Sequence, residues 1–482
     1  MKRIHSIITH FSKPVDLTSG TPWRVILKYA SPIVISYLLQ QIYILTDAII
    51  CGQVLTAAEV AGVNDTFPLT FIFLQFAFGC TAGFSVITAK YAGQNDPRGV
   101  RRSLVTQTVL SVAISAVLTV LSIALLPWLL GLINLTPSSG EVYRAAYSYC
   151  YVIFLGTAAQ MGYNMICGVL RAYGDSVTPL IFLIISTALN VVLDIVFLAP
   201  LHMGPAGAAW ATIIAQFISF IACTVYTFVK YRELCPEKKD FVPEMRSVVS
   251  HLKQGVPLGL QFSVLAVGII VMQGAVVKYD ISPDGIMIPG APAQNGFGAA
   301  NKLINFLMAA FSGLGSAMLG YNAQNLGKGD RERIRRGTLQ SLVVMLITFG
   351  ICLTAGMLLS IGGAYQYIFM SADKISADTI RYGNTLLYVD LIFYAVLGFL
   401  IVIRSAVQGM CLPLWVLGAG IAELAARVLI CAYLPAIVNG APVDSTASTL
   451  SFAAVCFGDP GAWILASAVL AVPLFRYILK RS

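Results

Sequence analysis

Charge is what this sequence has least of. Asp, Glu, Lys and Arg make up 11% of the 482 residues and hydrophobic residues 57%, where ordinary soluble domains carry roughly 25% charge. A soluble chain of this length could bury a large core, but it could not cover its surface with so few charges. The polar face is missing because the surrounding solvent is lipid. Histidine is scarce too: His5, His10, His202 and His251 are scattered, and no H-E-x-x-H sets two of them on one helix face. No P-loop is present, which argues against ATP hydrolysis within the chain; Gly313 and Gly315 in FSGLGSAMLG read as close helix contacts. The ten cysteines lie mostly in apolar runs and form no C-x-x-C pair. They read as packing thiols, with no structural metal and no disulfide framework expected. The first twenty residues hold no long apolar core before a cleavage site, so no removable signal peptide is expected. An integral-membrane enzyme would need an Asp-rich metal motif at an interface, and none is visible, so the chain is read as a non-enzyme.

Long apolar runs are what the sequence does have. A helix needs about twenty apolar residues to cross a hydrocarbon layer of roughly 30 Å. Twelve runs qualify: 27–51, 61–91, 103–131, 145–168, 179–200 and 205–229, then 251–277, 294–324, 338–362, 381–409, 413–437 and 460–479. Unbroken runs of this kind exclude the short alternating strands of a β-barrel. The fold class is all-α integral membrane, with twelve transmembrane helices.

The basic residues set the orientation. With alternate loops assigned to opposite sides, Lys2, Arg3, Lys13, Arg24, Lys28, Arg98, Arg101, Arg102 and Arg171 fall together with the clusters at 230–246 and 328–336. The opposite loops hold little beyond Arg144, Lys278, Lys374 and Arg381. By the positive-inside rule both termini are expected in the cytoplasm of a cell-membrane protein, with loops 279–293 and 438–458 outside. The net charge of +9 is then a topology signal, and no nucleic-acid partner is expected.

The sequence also repeats itself. GQNDPRGVRR (93–102) and GKGDRERIRR (327–336) align at an offset of 234 residues, and Gly62 with Gly296, Gly79 with Gly313 and Pro179 with Pro413 keep that offset. The polar stretch 231–249 separates an N-terminal lobe (1–230) from a C-terminal lobe (250–482), with six spans each. Six being even, both repeats enter from the same side, which predicts two pseudo-symmetric bundles about an axis normal to the membrane and a cleft between them. That is a transporter plan.

A few polar residues sit deep in the spans. Asp47 and Asp194 each lie 15 residues after a proline, Pro32 and Pro179, hence about 22 Å from the basic side. Thr212, on the sixth span, lies about 12 Å in from the other side. Tyr43 precedes Asp47 by one turn, and Asn190 precedes Asp194 likewise, so each pair shares a helix face. If spans one, five and six pack together these residues form one pocket. Two carboxyls there would repel and would suit exchange of H⁺ or Na⁺; a structural polar cluster is the alternative. Glu423 and Arg427, four apart, read as a structural ion pair. Lys302 and Asp390 lack a partner on their own helices and could pair across the second lobe or meet substrate. Gln160 and Asn164, one turn apart, could line the cleft or bridge helices.

The ordered combination LRAYGDSVTP, NVVLDIVF and MGPAGAAWATIIAQ, with Pro32, Tyr43 and Asp47 on the first span, resembles the multidrug and toxic compound extrusion (MATE) family over nearly the whole chain. The resemblance implies two six-helix bundles in a V and export of amphipathic, often cationic, drugs or metabolites against H⁺ or Na⁺, with no cofactor. Similarity to the DinF-like branch implies an ion site at Asp47, Asn190, Asp194 and Thr212, the place for any Na⁺, with Tyr43 in its network and Pro32 marking a bend. The family's arginine-glycine pair reads Arg171-Ala172 here. The glutamate and aspartate that NorM-type relatives carry in the second lobe fall on Leu265 and Leu397, which puts an ion site there in doubt. The partners expected are small organic substrates and the lipid bilayer, with the chain acting as a monomer; a flippase for lipid-linked or polysaccharide precursors is the alternative transport reading.

Overall fold

A computed structural model describes residues 13–241, 244–371 and 375–480. Lys2, Arg3, His5, His10 and Lys374 lie outside the described residues. The first lobe is built from α1 (Pro22–Val54), α2 (Ala57–Asp65), α3 (Phe67–Gly93), α4 (Pro97–Ala124), α5 (Leu126–Leu132), α6 (Glu141–Leu155), α7 (Thr157–Ala172), α8 (Val177–Leu198) and α9 (Gly204–Lys230). The second contains α10 (Met245–Val277), α11 (Pro292–Lys328), α12 (Arg331–Ser360), α13 (Gln366–Phe369), α14 (Ala377–Gly409), α15 (Pro413–Asn439), α16 (Thr449–Cys456) and α17 (Gly458–Pro473). Among the described residues eleven helices are long and apolar enough to span a membrane, and the bent pair α6–α7 makes a twelfth. The chain is an all-α, multi-pass membrane protein of two bundles.

Three boundaries differ from the expected runs. The fourth span is not one helix: α6 and α7 meet at a 46° bend at Gly156. The Phe154 carbonyl there is taken up by the hydroxyls of Thr157 (2.8 Å) and Thr119 (3.0 Å), and freed carbonyls of this kind let a helix kink. The segment 438–458, expected to be loop, contains α16, capped by the Ser448 hydroxyl accepting from the Ser451 N–H. The stretch 231–249 also ends in helix, because α10 begins at Met245. Pro32 sits inside α1 without ending it. The carbonyl that its missing N–H leaves unpaired, that of Lys28, has the Ser31 hydroxyl 3.5 Å away.

The repeated glycines do matched work. A Cβ on Gly79 of α3 would lie 2.7 Å from the Gly259 Cα of α10, and one on Gly313 of α11 would lie 2.7 Å from the Val34 Cα of α1. Gly93 meets Gln324 and Gly327 meets Lys90 in the same reciprocal way. Within the lobes, Gly62 packs on α6 and Gly296 on α14. Only glycine permits such approaches between helix backbones, so the offset seen in the sequence marks the contacts that join the lobes.

The loops sort into two faces. On the basic face the Tyr29 hydroxyl donates to the Arg171 carbonyl (2.6 Å), Gln324 Nε2 to the Ala172 carbonyl (2.8 Å) and the Val15 N–H to the Gly174 carbonyl (2.9 Å). Residues 15–20 form a strap whose carbonyls take hydrogen bonds from the second lobe. Asn325 reaches Leu17 (3.1 Å), Lys328 reaches Thr18 (3.0 Å), and Arg333 reaches Leu17, Ser19 and Gly20. Leu17 is fully buried. On the opposite face the two long loops touch, the Ser445 N–H donating to the Ile281 carbonyl at 2.8 Å.

Candidate functional site

The polar residues of α1, α8 and α9 come together. The hydroxyls of Tyr43 and Thr212 share a hydrogen bond of 3.3 Å, and Asn190 Nδ2 donates to Thr212 Oγ1 at 3.4 Å. One turn further along α1 and α8, the Asp47 carboxyl lies against that of Asp194. Asp194 is fully buried and Asn190 is 1% exposed. Asp47 Oδ1, both Asp194 carboxyl oxygens and Asn190 Oδ1 are buried with no hydrogen-bond partner among the described residues. Unmet acceptors in an apolar interior cost free energy. The cluster thus concentrates oxygen acceptors that the protein itself leaves unpaired.

A cavity of about 130 Å³ adjoins the cluster. Its wall includes Tyr43, Asn190 and Thr212, so the cluster forms one side of it. Gln160 and Asn164 of α7 line it as well. Gln40, Gln75, Phe78, Tyr163 and Gln216 also line it and were not singled out in the sequence. Single amides in apolar runs on separate helices carry no spacing signal; their convergence is visible only once α1, α3, α7 and α9 are packed.

The second lobe departs from expectation. Lys302 and Asp390 are not brought together: Lys302 is exposed, its ammonium 5.9 Å from the Phe369 ring centroid, whereas Asp390 is 1% exposed and sits in the field of Arg427 and Asp459. Glu423 and Arg427 do meet, at 3.4 Å, but they belong to a larger network. Arg404 bonds Glu423, and Arg427 reaches Asp459 at 2.7 Å. Arg404 and Asp459 were missed because each lies near the end of an apolar run, where a charge reads as interfacial.

The comparisons settle the family. The MatE family profile matches residues 32–196 and 288–438, about two thirds of the chain. The chain belongs to the MATE family. Among curated MATE relatives, the probable multidrug resistance protein YpnP of Bacillus subtilis is 30% identical over 67% of this chain and 69% of its own length. The FAD transporter of Shewanella oneidensis is 25% identical over 69% of this chain and 71% of its own. Among solved structures, a MOP superfamily transporter from Pyrococcus furiosus superposes with a TM-score of 0.83 at 19% identity, covering 98% of this chain and 99% of that one. A crystal structure of a MATE protein in the bent conformation gives 0.82 at 21% identity, with 96% and 97% covered. At these identities the superpositions establish the MATE fold, two bundles of transmembrane helices. As a MATE protein the chain moves small molecules across a membrane and is not an enzyme.

Proposed function

We propose that this MATE protein is a secondary antiporter that exports amphipathic, often cationic, drugs or metabolites in exchange for H⁺ or Na⁺ by alternating access. The observation that carries the reading is the junction of two sites. Asp194 is buried and Asp47 half-buried, both short of partners, and they adjoin Tyr43, Asn190 and Thr212 at the cavity wall. An ion arriving at the carboxyls therefore acts on side chains that a substrate touches. Asp47, Asn190, Asp194 and Thr212 hold the ion, Tyr43 links it to the cavity, and Pro32 is the point at which α1 bends, the arrangement of the DinF-like branch. Gln160 and Asn164 meet substrate. Lys302 and Asp390 are the remaining substrate candidates, in the second lobe. The lobes are residues 1–230 and 250–482, the chain works as a monomer in the cell membrane, and the basic face is cytoplasmic with both termini on that side. A flippase would want a long basic cleft; among the described residues no charged side chain lines this cavity, which favours organic solutes.

The test is dye efflux from proteoliposomes with pH and Na⁺ gradients imposed separately. Efflux should follow one of the two gradients and vanish when both are collapsed. Dye movement that ignores both gradients would overturn the antiport reading.

A further inference from the structure

Five side-chain amides converge on the cavity: Gln40 on α1, Gln75 on α3, Gln160 and Asn164 on α7, and Gln216 on α9. Among the described residues none of the five has a hydrogen-bond partner within the protein, yet none is sealed away. They face the cavity with donors and acceptors unused. Two further polar atoms at its wall are buried and without partner, the Tyr163 hydroxyl and Asn190 Oδ1. Among the described residues no Asp, Glu, Lys or Arg lines the space; the two carboxyls stand one turn beyond the layer formed by Tyr43, Asn190 and Thr212.

That wall has a chemical preference. A side-chain amide offers an N–H donor and a C=O acceptor side by side. It pairs well with an edge carrying both, as Asn and Gln do with adenine. It gives less to a bare cation, whose desolvation needs an opposite charge in contact, and the nearest carboxyls lie behind the wall and not on it. Aromatic faces at the same wall, Tyr43, Phe78 and Tyr163, suit a flat ring that can stack. The space, about 130 Å³, is below the roughly 300–1,000 Å³ of a pocket that swallows a whole drug. It takes a ring-bearing part of a substrate and not the whole of a large one.

We propose that this cavity selects the uncharged, planar heteroaromatic part of a substrate, one whose edge carries both an N–H and a C=O, over a cationic ring of the same size. The proposal rests on the reading of this cavity as the substrate chamber and narrows it from amphipathic cations to neutral hydrogen-bonding rings.

Phenanthridin-6(5H)-one and 5-methylphenanthridinium test it, because they share a three-ring frame. The first is a neutral lactam with N–H and C=O on one edge; the second is a permanent cation with neither. Both are titrated by fluorescence against the purified full chain in detergent, with no gradient present. The lactam should bind at least about tenfold more tightly, each paired amide contributing the usual net worth of a hydrogen bond. In a Gln75→Leu/Gln160→Leu variant, lactam affinity should fall about tenfold, two such bonds being lost, while affinity for the cation stays unchanged. An unaltered melting temperature shows that the variant is folded, and Gln75→Asn/Gln160→Asn should recover part of the affinity. Equal or tighter binding of the cation, binding of neither ring, or an unchanged lactam affinity in a folded variant would overturn the proposal. Since binding needs no gradient, intact lactam selectivity with no ion-driven efflux would support the proposal while counting against the coupling.

Discussion

At the scale of single residues, depth and helix face account for most of what was legible. Asp47 and Asp194 were found because a charge in an apolar run is costly and because equal distances from two prolines put them at one level. Packing then made neighbours of them. The same logic fell short for Glu423 and Arg427, since i,i+4 spacing reveals partners on one helix and is blind to those on others. With Arg404 on Glu423 and Asp459 on Arg427, replacing Glu423 and Arg427 together by leucine leaves two charges unpaired. That variant should lose about 3 kcal/mol or more, the cost of breaking buried pairs. It should melt well below the parent in detergent, and an unchanged melt would show that Arg404 and Asp459 find other partners. Outside the spans, Asp240 is enclosed by Arg101 (2.8 Å) and the Glu237 N–H (3.0 Å). Burial pushes its carboxyl up, but the hydrogen bonds from Arg101 and the Glu237 N–H, with the charges of Arg101 and Lys239, outweigh it and hold the carboxyl below the usual range. A depressed carboxyl contributes stability above its unfolded value and loses it as pH falls through the folded one. The tie should therefore be constant from pH 8 to 5 and fail only below about pH 4, near the ordinary Asp value. Comparing melts of the parent and Asp240→Asn across that range checks this; a difference that changes between pH 7 and 5 would contradict it.

At the scale of elements, the strap at residues 15–20 joins both lobes on the basic face. It is bonded to Gly174 at one end and gripped by Asn325, Lys328 and Arg333 at the other. A closure made of hydrogen bonds between few residues can open without unfolding a helix. Arg333→Ala removes charge-assisted bonds to three carbonyls, so amide hydrogen exchange in segment 13–20 should speed up about tenfold or more. Exchange at the parent rate would mean that burial of Leu17 holds the strap unaided. Spans were readable from hydropathy, and their lengths were not. The bend at Gly156 and the helix at Thr449–Cys456 depend on hydroxyls capping backbone groups, interactions that leave no trace in apolar content.

At the scale of the whole molecule, the repeat was the strongest signal in the sequence, and the reciprocal glycine contacts show why it persisted: helices can approach this closely only where side chains are absent. The proposed orientation rests on the basic loops. In intact cells a membrane-impermeant thiol reagent should label a cysteine placed at Ser445 and not one at Glu237; the reverse pattern would invert the topology. What hydropathy and repeats left hidden is the amide-lined cavity, assembled from five helices, α1, α3, α7, α8 and α9.

If Asp194 and Asp47 carry the coupling ion, Asp194→Asn should uncouple the protein without emptying its substrate site. The amide keeps the size of the side chain and its capacity to hydrogen-bond, but it cannot ionise. Ion-driven efflux and substrate binding are measured side by side in proteoliposomes at matched protein content. The account predicts that binding persists while efflux falls at least about a hundredfold, with Asp47→Asn alike and the double variant little worse than either, because the pair acts as a unit. Near-normal ion-driven efflux by Asp194→Asn would contradict it and leave the cluster a structural tie among α1, α8 and α9.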